Sequence, residues 1–181
     1  MILWLSYAII GIFAGVSAGL LGLGGGVVTV PALLYLFKFY GMPEAHLMHM
    51  AVSTSLLAIV ITSVSSLSAH HNNGNVNWPL LRRLSIGLML GALLGAYSAT
   101  LISSELLQRI FAIYALLMSI QIWISVPELA SSATLLRQPL LFVVGTSIGS
   151  LSALVGMGGG TMTVPYLLLA GQSIRKAIGT S

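Results

Sequence analysis

Apolar residues run through this chain in long blocks, separated by short polar or glycine-rich interruptions. Predominantly apolar stretches cover Ile2–Leu21, Val27–Tyr40, Leu47–Ala69, Leu80–Leu101, Leu106–Val126, Leu140–Val155 and Thr161–Ala170. Blocks of about 20 apolar residues suit helices that cross a bilayer. Val27–Tyr40 is shorter, about 21 Å of helix at ~1.5 Å per residue, and barely spans a hydrocarbon core. The interruptions are of two kinds. One is polar: the loop His70–Pro79, and a linker holding Pro127, Glu128, Arg137 and Pro139. The other is glycine: Gly22–Gly26 and Gly156–Gly160. The pattern predicts an all-α, polytopic transmembrane helix bundle with two glycine-broken helices.

The two glycine interruptions belong to an internal repeat. Gly15–Leu34 aligns without gaps on Gly149–Leu168, with eleven of twenty pairs identical. The identities include Gly24-Gly25-Gly26 with Gly158-Gly159-Gly160, and Thr29-Val30-Pro31 with Thr163-Val164-Pro165. After an eight-residue offset the match resumes, Ala51–Ser55 on Ala177–Ser181. Residues 1–126 are read as a first transmembrane repeat, 127–139 as a linker, and 140–181 as the start of a second. By this reading the second repeat is incomplete at Ser181. Ile2–Leu21 is kept as structure rather than as a cleaved leader, because no Lys or Arg precedes Lys38 and the segment has a partner in the second repeat.

Composition agrees with a lipid environment. Hydrophobic residues make up 57% of the chain and charged residues 6%, with a mean hydropathy of +1.02. A soluble domain carries about 25% charged residues, so lipid rather than water must cover this surface. The seven Lys and Arg against three acids are dispersed, which reads as a topology signal and not as a nucleic-acid surface. If every segment crosses, Arg82, Arg83, Arg137, Arg175 and Lys176 share one side, and Lys38 and Arg109 lie on the other. Ile2–Leu21 and Leu140–Val155 then point opposite ways, which makes the repeats inverted. Small residues at every fourth position, Gly11/Gly15/Gly19, Gly87/Gly91/Gly95/Ala99 and Gly145/Gly149/Ala153, predict close helix contacts.

The breaks are the candidate site. Irregular backbone at membrane depth is tolerated only where protein buries it or water lines it. Each break feeds a helix N-terminus, whose free N–H groups and dipole favour an anion. No Lys or Arg falls mid-segment, so helix ends are the natural source of positive potential there. The expected ligand is a small anion held by Gly24, Gly25, Gly26, Gly158, Gly159 and Gly160. Hydroxyls of Thr29, Thr163, Ser53, Thr54, Ser55, Thr180 and Ser181 assist. Packing alone also explains glycine, and interhelical bonding explains many of the hydroxyls.

His46 and His49 are three apart, while His70 and His71 fall in a loop. With no cysteine and three acids, a metal site or cofactor is not expected. Glu44, Glu105 and Glu128 map to loops or helix ends, which leaves no mid-membrane carboxylate relay. Trp4, Tyr7, Tyr40, Trp78 and Trp123 lie near segment ends as an interfacial aromatic belt. No nucleophile–base pair is placed by the pattern. An intramembrane enzyme or a structural membrane subunit stands as the alternative to a transporter.

The motif Gly15-x3-Gly19-Leu20-Leu21-Gly22-Leu23-Gly24-Gly25-Gly26 before Val30-Pro31-Leu33 resembles the TauE/SafE family of sulfite exporters and related anion permeases. Ala51–Ser55, Gly74–Trp78 and Ser152–Gly160 carry the same resemblance. It implies a permease of a bacterial-type inner membrane, multi-pass in the lipid bilayer, moving sulfite, organosulfonates or related oxyanions. It implies no enzyme activity.

Overall fold

The computed structural model describes residues 2–21, 25–123 and 136–181. Most of the expected linker, including Pro127 and Glu128, lies outside the described residues, as does Gly24 of the first break. The described residues form eight α-helices: α1 Ile2–Leu21, α2 Gly26–Phe39, α3 Leu47–Asn72, α4 Trp78–Thr100, α5 Ser104–Trp123, α6 Gln138–Val155, α7 Gly160–Leu169 and α8 Ile174–Thr180. A 3-10 turn, Glu44–His46, leads into α3. The architecture is all-α, and no strand occurs among the described residues. Three helical spans are long and apolar enough to cross a membrane by length and composition: Glu44–Asn72, Trp78–Thr100 and Gln138–Val155.

Two helix starts fall earlier than hydropathy places them, each because of proline. Pro79 sits in the first turn of α4 and Pro139 in that of α6, positions where a missing N–H costs nothing. Asn77 caps α4, its side-chain oxygen accepting from the Leu80 N–H at 3.3 Å. Pro31 and Pro165 lie inside α2 and α7.

The helices pack with their ends in register. At one end, α1 begins where α2 finishes: Tyr7 meets Phe37 edge-on, and the Ser6 and Tyr40 hydroxyls are 3.3 Å apart. The starts of α3 and α5 and the end of α4 join them. The Met48 N–H donates to Ser104 Oγ at 3.1 Å, and His49 Nε2 donates to the Ala99 carbonyl at 3.0 Å. At the other end, Trp78 Nε1–H donates to His71 Nδ1 across the α3–α4 loop. Leu80 and Leu84 of α4, Leu141 of α6, Leu167 of α7 and Ala177 of α8 form one core there. So α1–α2 and α6–α7 are hairpins, each returning to the end from which it started, and they start from opposite ends.

The closest helix pair is α4 with α6. A β-carbon at Gly91 or Gly95 would overlap the carbonyl of Thr146 or Ser150, and one at Gly149 would overlap that of Leu88. Contacts advance together along both helices, so α4 and α6 run parallel. Two of the three small-residue stripes therefore do what their spacing predicts. On α1 the outcome differs: Gly11 and Gly15 have open space beside them. Nothing lies within 4 Å of a β-carbon built at either position.

The paired breaks and their hydroxyls

The two breaks meet. A β-carbon on Gly26 would lie 2.5 Å from the Gly156 carbonyl oxygen and 2.6 Å from Met157 Cα. Glycine is required here because two backbones touch. Gly156 closes α6 in the left-handed region at φ 74, another glycine requirement. Its carbonyl accepts from Ser55 Oγ at 2.8 Å, which ties α3 to the second break. Ser152 Oγ donates to the Met157 carbonyl and holds the following turn.

Neither α2 nor α7 has a side-chain cap at its N-terminus, where Gly25 and Gly159 stand. The first N–H groups of such helices have no intrahelical acceptor. The hydroxyls around them differ. Thr29 Oγ1 donates to the Gly25 carbonyl at 2.7 Å and is thereby occupied. Its repeat partner Thr163 is wholly buried, and its Oγ1 has no hydrogen-bond partner. An unpaired buried hydroxyl costs on the order of 1–3 kcal/mol, so Thr163 marks a place where a partner is missing. It stands 3.6 Å from where a Gly159 β-carbon would be, with Ile148 and Leu88 as the next neighbours at 3.7 and 3.8 Å.

Two residues the sequence does not single out pair with each other at the start of α7. Thr161, in the first turn of α7, is buried and lies 2.5 Å from the Tyr114 hydroxyl of α5. Repeat logic passes over Thr161 because its counterpart is Val27. Tyr114 carries no local signal at all. Gly158 faces Ile59, and Gly160 leaves room beside Ser181 Oγ at 3.5 Å.

The remaining expected residues separate. Ser55 faces the break, whereas Ser53 and Thr54 are exposed and line a cleft with His46 and His49 on another face of α3. Thr180 is buried but accepts from the Asn77 N–H at 3.0 Å, and Gly179 abuts the Asn75 carbonyl. That pair locks α8 to the α3–α4 loop. Ser181 Oγ donates to the Ile178 carbonyl at 2.9 Å. No cluster of three or more metal-ligating side chains occurs among the described residues.

Apolar helices, interrupted and joined through their interruptions, define a helical membrane protein. Residues 7–181 match the family described as Sulfite exporter TauE/SafE, and the chain belongs to that family. A probable membrane transporter protein of Haemophilus influenzae is 36% identical over 174 residues, covering 96% of this chain and 66% of the relative. One from Methanocaldococcus jannaschii is 29% identical, covering 96% and 64%. Another, from Bacillus subtilis, is 28% identical, covering 89% and 66%. The chain thus spans just under two thirds of the length of these relatives. The family is one of membrane transporters and not of enzymes. No solved structure matches the chain.

Proposed function

We propose that this chain forms part of a multi-pass inner-membrane permease for small sulfur oxyanions such as sulfite or organosulfonates, bound at the second break. The observation that carries the reading is Thr163: a fully buried, unpartnered hydroxyl at an uncapped helix N-terminus, beside a glycine whose added β-carbon would meet only ordinary van der Waals neighbours. Helix N–H groups supply partial positive charge without the cost of a buried cation. Binding of this distributed kind is weak enough for release, which transport needs.

The family description, sulfite exporter, favours an oxyanion over other cargo. The first break is the lesser candidate, since Gly26 is filled by the opposing backbone and Thr29 is occupied. The hairpins enter from opposite ends and meet through Gly26 and Gly156, which supports a pair of inverted repeats. At ~1.5 Å per residue α7 reaches about 15 Å in from its end, half of a ~30 Å core, which supports a mid-membrane site.

Gly159→Ala tests the reading without disturbing the fold, because its β-carbon meets only ordinary van der Waals neighbours and Gly159 has helical φ and ψ. Sulfate and sulfite binding to the intact, monodisperse protein should weaken about tenfold or more in Gly159→Ala, and weaken also in Thr163→Val. Unchanged affinity in both variants would mean that the breaks are packing devices and that the site lies elsewhere.

A further inference from the structure

A cavity of ≈ 700 Å³ lies between α2, the 3-10 turn and the start of α5. It differs in kind from the paired breaks. Three charged side chains line it: Lys38 from the last turn of α2, Glu44 from the 3-10 turn and Glu105 from the first turn of α5. They are three of the ten Lys, Arg, Asp and Glu residues in the whole chain. All three are exposed, and none forms an ion pair with another among the described residues.

We propose that this cavity binds one membrane phospholipid, a zwitterionic one whose head carries a primary ammonium, of the phosphatidylethanolamine type. Its ammonium sits between Glu44 and Glu105, its phosphate meets Lys38, and an acyl chain follows α2 inward.

The wall of the cavity supplies the first argument. Pro31, Leu34, Tyr35 and Lys38 line it from α2. Their spacing puts them on a single helical face. From Lys38 to Pro31 that face runs about 10 Å into the bundle's height. Charge stands at its outer end and apolar surface along the rest. A lysine with a long apolar stem, its ammonium turned to the head groups, suits such an end. Tyr35 is 75% exposed, as is Phe39 one turn on, and amphipathic rings favour the head-group level. A polar head over an apolar strip fits an amphiphile better than a small solute.

Charge supplies the second argument. Two carboxylates against one lysine leave the cavity with a net negative charge, which repels a sulfur oxyanion and an anionic lipid alike. A zwitterion meets both signs at once. The Ser103 Oγ accepts from the Leu106 N–H at 3.4 Å, so its own hydrogen remains for a phosphate oxygen. A primary ammonium donates up to three hydrogen bonds, which two carboxylates can accept, whereas a quaternary ammonium donates none.

The floor supplies the third. It is formed by buried Leu47 and by buried Ser104, whose Oγ accepts from the Met48 N–H at 3.1 Å. That hydroxyl is already engaged in holding α5 to α3. The cavity is thus a bay on the flank of the bundle, and a lipid seated in it would brace α2, the 3-10 turn and α5 against one another.

Native mass spectrometry of the intact protein in detergent tests this, titrated with phosphatidylethanolamine, phosphatidylcholine and phosphatidylglycerol of identical acyl chains. The first lipid adduct should form at least about fivefold more tightly with phosphatidylethanolamine than with either of the others. Glu44→Gln with Glu105→Gln changes exposed side chains only, and should erase that preference. Lys38→Gln should weaken all three lipids, since all carry the phosphate, and keep their order. Arg82→Gln, at the opposite end, should change nothing. Glycerophosphoethanolamine, the same head without acyl chains, should fail to displace the lipid at equal concentration. Equal affinity of the wild type for the three lipids, or a preference that survives in the double glutamine variant, would overturn the proposal. Full displacement by glycerophosphoethanolamine would overturn it as well, by making the cavity a solute site. None of these outcomes touches the anion reading of the second break.

Discussion

Single residues carry this molecule at its closest backbone contacts. Gly156 combines a left-handed φ of 74 with neighbours at 3.0 Å (Val52 Cα) and 3.1 Å (Val30 Cγ2) for any added β-carbon. Left-handed backbone costs a non-glycine residue about 1–2 kcal/mol, and overpacking about 1–3 kcal/mol more. Gly156→Ala should therefore unfold at a clearly lower temperature in detergent, as should Gly26→Ala, which would press on the Gly156 carbonyl. Gly159→Ala should melt as the wild type does and lose only ligand. That contrast between neighbouring glycines, read by thermal unfolding beside binding, separates packing from function. The repeated glycines were legible from the alignment of the two halves. Which of them press on another backbone was not, because that depends on what lies opposite each of them.

Elements show the same division. Stripes of small residues predicted close packing on α1, α4 and α6, and α4 and α6 meet along theirs, parallel and nearly in backbone contact. Gly91→Ala should cost more than an ordinary exposed glycine substitution, since the Thr146 carbonyl occupies the space. Gly11→Ala should be neutral or slightly stabilising in the same unfolding measurement, because Gly11 has nothing beside it and alanine favours helix. The hydroxyls of α3 sort likewise. Ser55 bonds the Gly156 carbonyl, Thr62 and Ser63 bond back to their own helix, and Ser53 and Thr54 open on the cleft. Sequence placed all of them on one helix. Only the neighbours of each face decided their roles.

On the scale of the whole molecule, charge and topology agree. Arg82, Arg83 and Arg137 lie at the starts of the parallel helices α4 and α6. Gln172 and Thr180 both hydrogen-bond Asn77, which brings the turn and helix bearing Arg175 and Lys176 to that same end. Lys38 ends α2 at the opposite end, where α5 begins with Arg109 in its second turn. The positive-inside rule then predicts the α3–α4 loop on the cytoplasmic side. The absence of cysteine makes this directly measurable. A cysteine placed at exposed Asn73 should react with an impermeant maleimide only from the cytoplasmic side, and one at exposed Ala45 only from the other. Labelling of both from one side would refute the assignment.

Sequence by itself determined the solvent, the helices, the duplication and the sorting of basic residues to two ends. Those follow from hydropathy and spacing along the chain, and they are local properties or comparisons of the chain with itself. Tertiary structure decided that Gly26 rests on Gly156, and that Thr29 is satisfied while Thr163 is not. It also decided that Tyr114 reaches Thr161 from a distant helix, and that His49, Ser53 and Thr54 share a cleft apart from the break. Those are properties of what lies opposite, and the identity of the opposing atom is fixed only when the helices pack.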